Sequence, residues 1–79
     1  MRRKERVEGF LEYIRILEGS MGAREAVLNY SYLSGLGPRT IAEYLEVLKA
    51  RGLVELTYEA GRAAGRLWAS RHPELSDRS

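Results

Sequence analysis

Two segments near the middle of the chain carry apolar side chains at the three- and four-residue steps of one helix face, over residues 23–33 and 38–51. The break between them is very short. Pro38 opens the second segment, and proline suits the first turn of a helix because an N–H is not needed there. We therefore expect two helices that meet at a steep angle, with Leu36 filling the gap between them.

The flanking segments complete the predicted architecture. An apolar stripe predicts a first helix over residues 3–18, which ends at the glycine-containing segment 19–22. Residues 53–58 and 66–70 are rich in β-forming side chains and predict two short strands joined by a turn. The predicted fold class is mostly α with a small two-stranded antiparallel hairpin. We expect one domain over residues 1–71, with a basic N-terminal arm, and a loose tail over residues 72–79.

Composition excludes several classes of function. The chain has 79 residues, enough for a single core, and no cysteine, which excludes disulfide scaffolds, zinc fingers and thiol catalysis. No apolar run approaches the roughly 20 residues of a membrane span, so we expect a soluble cytoplasmic protein. The single histidine, His72, falls in the predicted tail. We expect no enzyme activity, cofactor, metal site or small-molecule ligand.

Residues 35–45, Gly-Leu-Gly-Pro-Arg-Thr-Ile-Ala-Glu-Tyr-Leu, resemble the turn and recognition helix of winged helix-turn-helix proteins. Residues 48–54, Leu-Lys-Ala-Arg-Gly-Leu-Val, are similar to that family's passage from recognition helix to first wing strand. The resemblance covers roughly residues 5–70. It implies a winged helix-turn-helix fold of three helices and a two-stranded wing. It also implies a sequence-specific double-stranded DNA-binding protein that regulates transcription. By analogy, the length of the chain fits small archaeal, plasmid or viral regulators.

The resemblance places the third helix in the DNA major groove and makes its exposed N-terminal residues the candidate readers. Arg39 is the first candidate for a base-edge or phosphate contact, since a guanidinium pairs bidentately with guanine. Thr40 is expected to contact a phosphate or to assist the helix start. Glu43 can accept a hydrogen bond from a cytosine amino group. For Tyr44 two roles stay open, a phosphate contact through its hydroxyl or a place in the core.

Net charge is only +2, but the cations are unevenly placed and eleven of the thirteen are arginine. Arg62 and Arg66 flank the expected wing tip and are candidates for backbone or minor-groove contacts. The alternative is a solvated hairpin. At the N-terminus Arg2, Arg3 and Lys4 stand where the helix macrodipole disfavours positive charge, which favours an extended arm that touches phosphates. Ordinary solubility explains them equally simply.

Apolar residues at the margin of the first helix predict a homodimer. A small domain has one core to fill, so a second apolar face on this helix can pack against another subunit. The candidate interface residues are Phe10, Tyr13, Ile16 and Leu17. The alternative is that they cover the wing or the tail of the same chain.

Two glutamates on the expected DNA-facing surface, Glu43 and Glu46, leave a second class of function open. A winged-helix module can bind protein through the face that holds these residues and Tyr44. A replication or segregation adaptor, and a binder of single-stranded nucleic acid that uses tyrosines and Trp68, are further alternatives.

Overall fold

Three helices are followed by one antiparallel hairpin in the computed structural model, which describes residues 2–57 and 65–70. The helices are α1 (Arg3–Leu17), α2 (Ala23–Ser34) and α3 (Pro38–Ala50), and the strands are β1 (Val54–Thr57) and β2 (Arg66–Ala69). The predicted fold class is thereby confirmed, with element ends within two residues of those expected. The predicted turn around Arg62 and the predicted tail at 72–79 lie outside the described residues.

The helix ends follow the local sequence signals. Gly22 and Gly37 are the N-caps of α2 and α3, each in extended conformation, and Pro38 opens α3. The end of α2 requires a glycine, because Gly35 has φ +78° and donates its N–H to the Ser31 carbonyl at 3.0 Å. This left-handed residue redirects the chain into the break before α3.

All five elements contribute to one core. Its five largest fully enclosed side chains, each of which contributes about 1.5–3 kcal/mol of burial free energy, are Phe10, Ile14, Ile41, Leu48 and Leu67. Leu36 is half-buried and packs on this core between α2 and α3, as predicted. Among the described residues, no helix combines the length and apolar character needed to cross a membrane.

The hairpin is attached to the α1–α2 loop as well as to the core. Val54 pairs with Ala69 and Thr57 with Arg66, which places Leu67 on the core side. The Leu67 N–H also donates to the Met21 carbonyl at 2.8 Å, so β2 is bonded on both of its edges. The wing strands are therefore held firmly to the helical body.

The structure corrects one residue of the expected dimer face on α1. Phe10 has no exposed surface within the single chain, so it cannot contact a second subunit. Tyr13 and Leu17 are partly buried against the same core, and the Tyr13 ring lies 5.1 Å from that of Tyr30 between centroids. Only Ile16 remains largely exposed, at 77%. Phe10 was misassigned because it lies in the core, where the Tyr30 ring of α2 packs against it.

Residues 2–4 do not form the expected extended arm. Arg2 is the N-cap of α1, and its backbone N–H donates to Glu5 Oε1 at 3.1 Å. Arg3 and Lys4 belong to the first helical turn. The Glu5 carboxylate offsets the unfavourable charge of these cations at the positive end of the helix dipole.

Candidate nucleic-acid interface

Two serines fix the break between α2 and α3. The buried Ser31 hydroxyl donates to the Leu36 carbonyl at 2.5 Å, and the Leu36 N–H donates to the Ser34 hydroxyl at 3.2 Å. These bonds satisfy polar groups at the C-terminal end of α2 and set the direction in which α3 leaves. The sequence interpretation missed both residues. The sequence does contain a signal for these bonds, because two serines stand three residues apart just before Gly35, where the helix ends.

One face of α3 is fixed to the core and the opposite face is exposed. The buried side chains are Ile41, Tyr44, Leu45 and Leu48. The exposed side chains near the N-terminal end and middle of the helix are Arg39, Ala42, Glu43 and Glu46. We call these four residues the α3 outer face. This arrangement leaves one side of a rigid helix available to a partner.

Tyr44 belongs to the core, since only 3% of it is exposed. Of its two open roles the structure thus supports the core position, and Tyr44 is not part of the α3 outer face. Thr40 is half-buried, and the N-cap of α3 is Gly37, so the Thr40 hydroxyl does not cap the helix. Arg39 and Glu43 are the exposed members of the predicted reading set.

The charges on α3 are separated along the helix. Arg39 is the cation of the first turn, which contains no acidic residue. Glu43 follows one turn later. Glu46 is paired with Lys49 Nζ at 3.3 Å, which partly neutralises its carboxylate. The N-terminal end of the α3 outer face is therefore its positive end, where the helix dipole also favours an anion.

Arg66 braces the fold. Its Nη1 donates to the Ser20 carbonyl at 3.0 Å and to the Gly19 carbonyl at 3.4 Å. These carbonyls follow the C-terminal end of α1, where a cation is favoured. The guanidinium atom that makes both bonds is thus committed to the chain itself. The predicted contact of Arg66 with DNA would have to use the other nitrogen atoms of its guanidinium group.

The N-terminal cations lie at the opposite end of α3 from Arg39. Arg3 and Lys4 line a cleft of about 290 Å³ together with Val7, Val47 and Arg51. Arg39 and Arg51 are twelve positions apart, which is about 18 Å along a helix axis. Arg39 and the N-terminal cations therefore form two separate groups instead of one continuous surface.

Within residues 2–57 and 65–70, no group of three histidine, aspartate or glutamate side chains is placed to hold a metal ion. We compared the chain with protein-family models, with curated proteins and with solved structures, and none of the three comparisons gave a match.

Proposed function

We propose that this protein binds double-stranded DNA in a sequence-specific manner through the α3 outer face and acts as a non-enzymatic transcriptional regulator, as a homodimer. The observation that carries the proposal is the exposure of that face beside a short, hydrogen-bonded turn, with Arg39 at its N-terminal end. The resemblance of residues 35–45 to a recognition helix agrees with this assignment.

The dimensions of α3 suit the proposed binding mode. The major groove of B-DNA is about 12 Å wide and admits one α-helix, whose N-terminal residues meet the base edges. Gly37, Pro38 and Arg39 are all exposed, so nothing in the described chain covers this end of the helix. Arg39 then pairs with guanine, and Glu43 accepts from a cytosine amino group one turn further along.

The hairpin supplies a second contact in this proposal. Arg62 contacts the DNA backbone or the minor groove, and Arg66 supports the hairpin from which that contact is made. Because the function requires access to DNA, and because the resemblance is to prokaryotic-type regulators, we propose that the protein acts in the cytoplasm.

Fluorescence anisotropy with labelled random-sequence duplex DNA tests the proposal. We expect Arg39→Ala to weaken binding about two- to fivefold at low salt, since it removes a cation that attracts the phosphates of any duplex. Arg15→Ala is the matched control, because Arg15 is an exposed arginine of α1 that pairs with Glu12 at 2.6 Å. Equal effects of the two substitutions would contradict a role for the α3 outer face.

The acidic residues favour one other candidate function, a module that binds a cationic protein segment. Glu43 and Glu46 are both exposed on the α3 outer face, and Ala42 on the same face offers an apolar contact. The two functions differ in their ligand. The protein-binding module would be supported if the folded chain did not bind duplex DNA at low salt and bound a lysine-rich peptide in a way that depends on Glu43.

A further inference from the structure

α2 has an exposed apolar surface that the described chain does not cover. Ala26, Val27 and Ser31 face the core, whereas Tyr32 is 88% exposed and Leu28 49% exposed on the outer side. Leu33, at the C-terminal end of the same helix, is also exposed, at 67%. Tyrosine is enriched at protein–protein interfaces, so this surface is a candidate contact with a partner.

The same side of the molecule contains a groove at the other end of α2. Ala23, Arg24 and Leu28 form one wall and Leu56 of β1 forms part of the other, around a volume of about 470 Å³. Most of the surface that the groove exposes is apolar, and its charged lining residues are Arg24 and Glu25. The groove is large enough to admit a tyrosine side chain.

The protruding ring and the groove are placed symmetrically about Leu28. Tyr32 follows Leu28 by four residues and Arg24 precedes it by four, so each lies about 6 Å from Leu28 along the helix axis. An antiparallel copy of α2, related by a two-fold axis at Leu28, would bring each Tyr32 over the Arg24 end of the other helix. One helix thus carries both halves of a self-complementary contact.

We propose that a second copy of this chain docks on this surface, with the two α2 helices antiparallel and each Tyr32 seated in the partner's groove beside Arg24. The stacking of a guanidinium group on a tyrosine ring adds a cation–π attraction to the apolar contact. Arg24 and Glu25 carry opposite charges, so the two surfaces do not repel each other through net charge.

The inference rests on the proposed function only in supplying its homodimer, and it places the interface on α2, whereas the sequence interpretation placed it on α1. None of its residues belongs to the α3 outer face, so DNA and the partner use different side chains. Stable interfaces bury about 800 Å² on each partner, and a pair of short helices lies at the low end of that range. We therefore expect a dimer that dissociates at micromolar concentrations.

Sedimentation equilibrium without DNA tests this interface. We expect the wild-type chain to dimerise, and Tyr32→Ser to weaken the dimer by about tenfold or more because it removes the central aromatic contact. Ile16→Ser is the matched control, since Ile16 is the exposed apolar residue of α1, and it is expected to leave the dimer unchanged. A monomeric wild type, or a dimer that Ile16→Ser dissociates and Tyr32→Ser does not, would overturn the proposal.

A cross-linking measurement gives an independent check, because the chain contains no cysteine. Leu28→Cys places one thiol near the proposed two-fold axis, where a disulfide can join two copies if their Cα atoms come within about 7 Å. We expect oxidation to give a covalent dimer of Leu28→Cys and little of Ile16→Cys. The reverse pattern would reject the α2 interface.

Because the molar mass is measured without DNA, the test of the α2 interface is independent of the test of DNA binding. A monomer that still binds duplex DNA in a salt-sensitive manner would reject the α2 interface and leave the proposed function standing. A Tyr32-dependent dimer that binds no DNA would do the opposite.

Discussion

At the scale of single residues, Gly19 illustrates how one position can fix the hairpin against the helices. Gly19 has φ +75°, and a Cβ atom at this position would overlap the ring of Trp68. The Trp68 indole N–H donates to the Thr57 hydroxyl on the neighbouring strand at 2.9 Å, which holds the ring in place. Neither the backbone nor the ring can move aside without cost.

We therefore expect Gly19→Ala to lower the free energy of unfolding by about 2–4 kcal/mol, from the left-handed backbone and the steric overlap together. Urea unfolding followed by fluorescence measures this directly, since Trp68 is the only tryptophan. Gly37→Ala is the control, because φ is −66° there and a Cβ atom would meet nothing within 4 Å. Similar losses in the two variants would show that Trp68 does not pack on Gly19.

Arg66 is the second residue whose role is settled by a specific contact. Its two hydrogen bonds to the 19–20 loop are partly exposed, so we expect Arg66→Ala to destabilise the fold by about 1 kcal/mol. The exposed Arg15–Glu12 pair provides the comparison, and Arg15→Ala should cost about 0.5 kcal/mol or less. Thermal unfolding of both variants measures the two losses of stability. An Arg66→Ala variant as stable as wild type would remove the bracing role.

At the scale of elements, the α2–α3 turn determines where the α3 outer face points. Ser31→Ala leaves the Leu36 carbonyl without its buried hydroxyl donor, and we expect a loss of about 1–2 kcal/mol in unfolding free energy. We also expect weaker DNA binding with unchanged helix content by circular dichroism. Ser34→Ala is the milder companion, because its turn bond is exposed and water can replace it. Equal effects on stability would argue against the buried bond.

The carboxylate of Glu43 gives a prediction for α3 itself. Because random-sequence DNA offers few cytosines in the required place, repulsion between this exposed carboxylate and the phosphates dominates its average effect. Glu43→Gln should then tighten binding to random duplex about two- to fivefold at low salt. Anisotropy titrations at two salt concentrations measure the gain and its screening. Weaker binding by Glu43→Gln would contradict the repulsion and make Glu43 a required contact.

At the scale of the whole molecule, local patterns predicted the elements well and the surroundings of individual side chains poorly. Apolar periodicity, Pro38 and the glycines located the helix ends, because these signals act within a few residues. The environment of Phe10 depends on Tyr30 of another helix, and the partners of Arg66 lie more than forty residues away in sequence. Such contacts leave no local pattern.

The candidate site, too, was predictable where it depends on local pattern and not where it depends on contacts between elements. Arg39 and Glu43 were correctly expected on an exposed helix face, because position on an amphipathic helix determines exposure. The separation of the N-terminal cations from Arg39, by the length of α3, follows from how α1 crosses the core and could not be deduced from spacing. The apolar surface of α2 was overlooked because Leu28 and Tyr32 lie off the stripe that faces the core.

The salt dependence of duplex DNA binding by the wild-type chain tests the central claim most directly. Each phosphate contact releases counterions, so the logarithm of the binding constant should fall linearly with the logarithm of salt concentration. We predict a slope of magnitude about 2 or more, as expected for several arginine–phosphate contacts. A folded chain that binds no duplex DNA at low salt, or binds it independently of salt, would contradict the assignment of the α3 outer face to DNA.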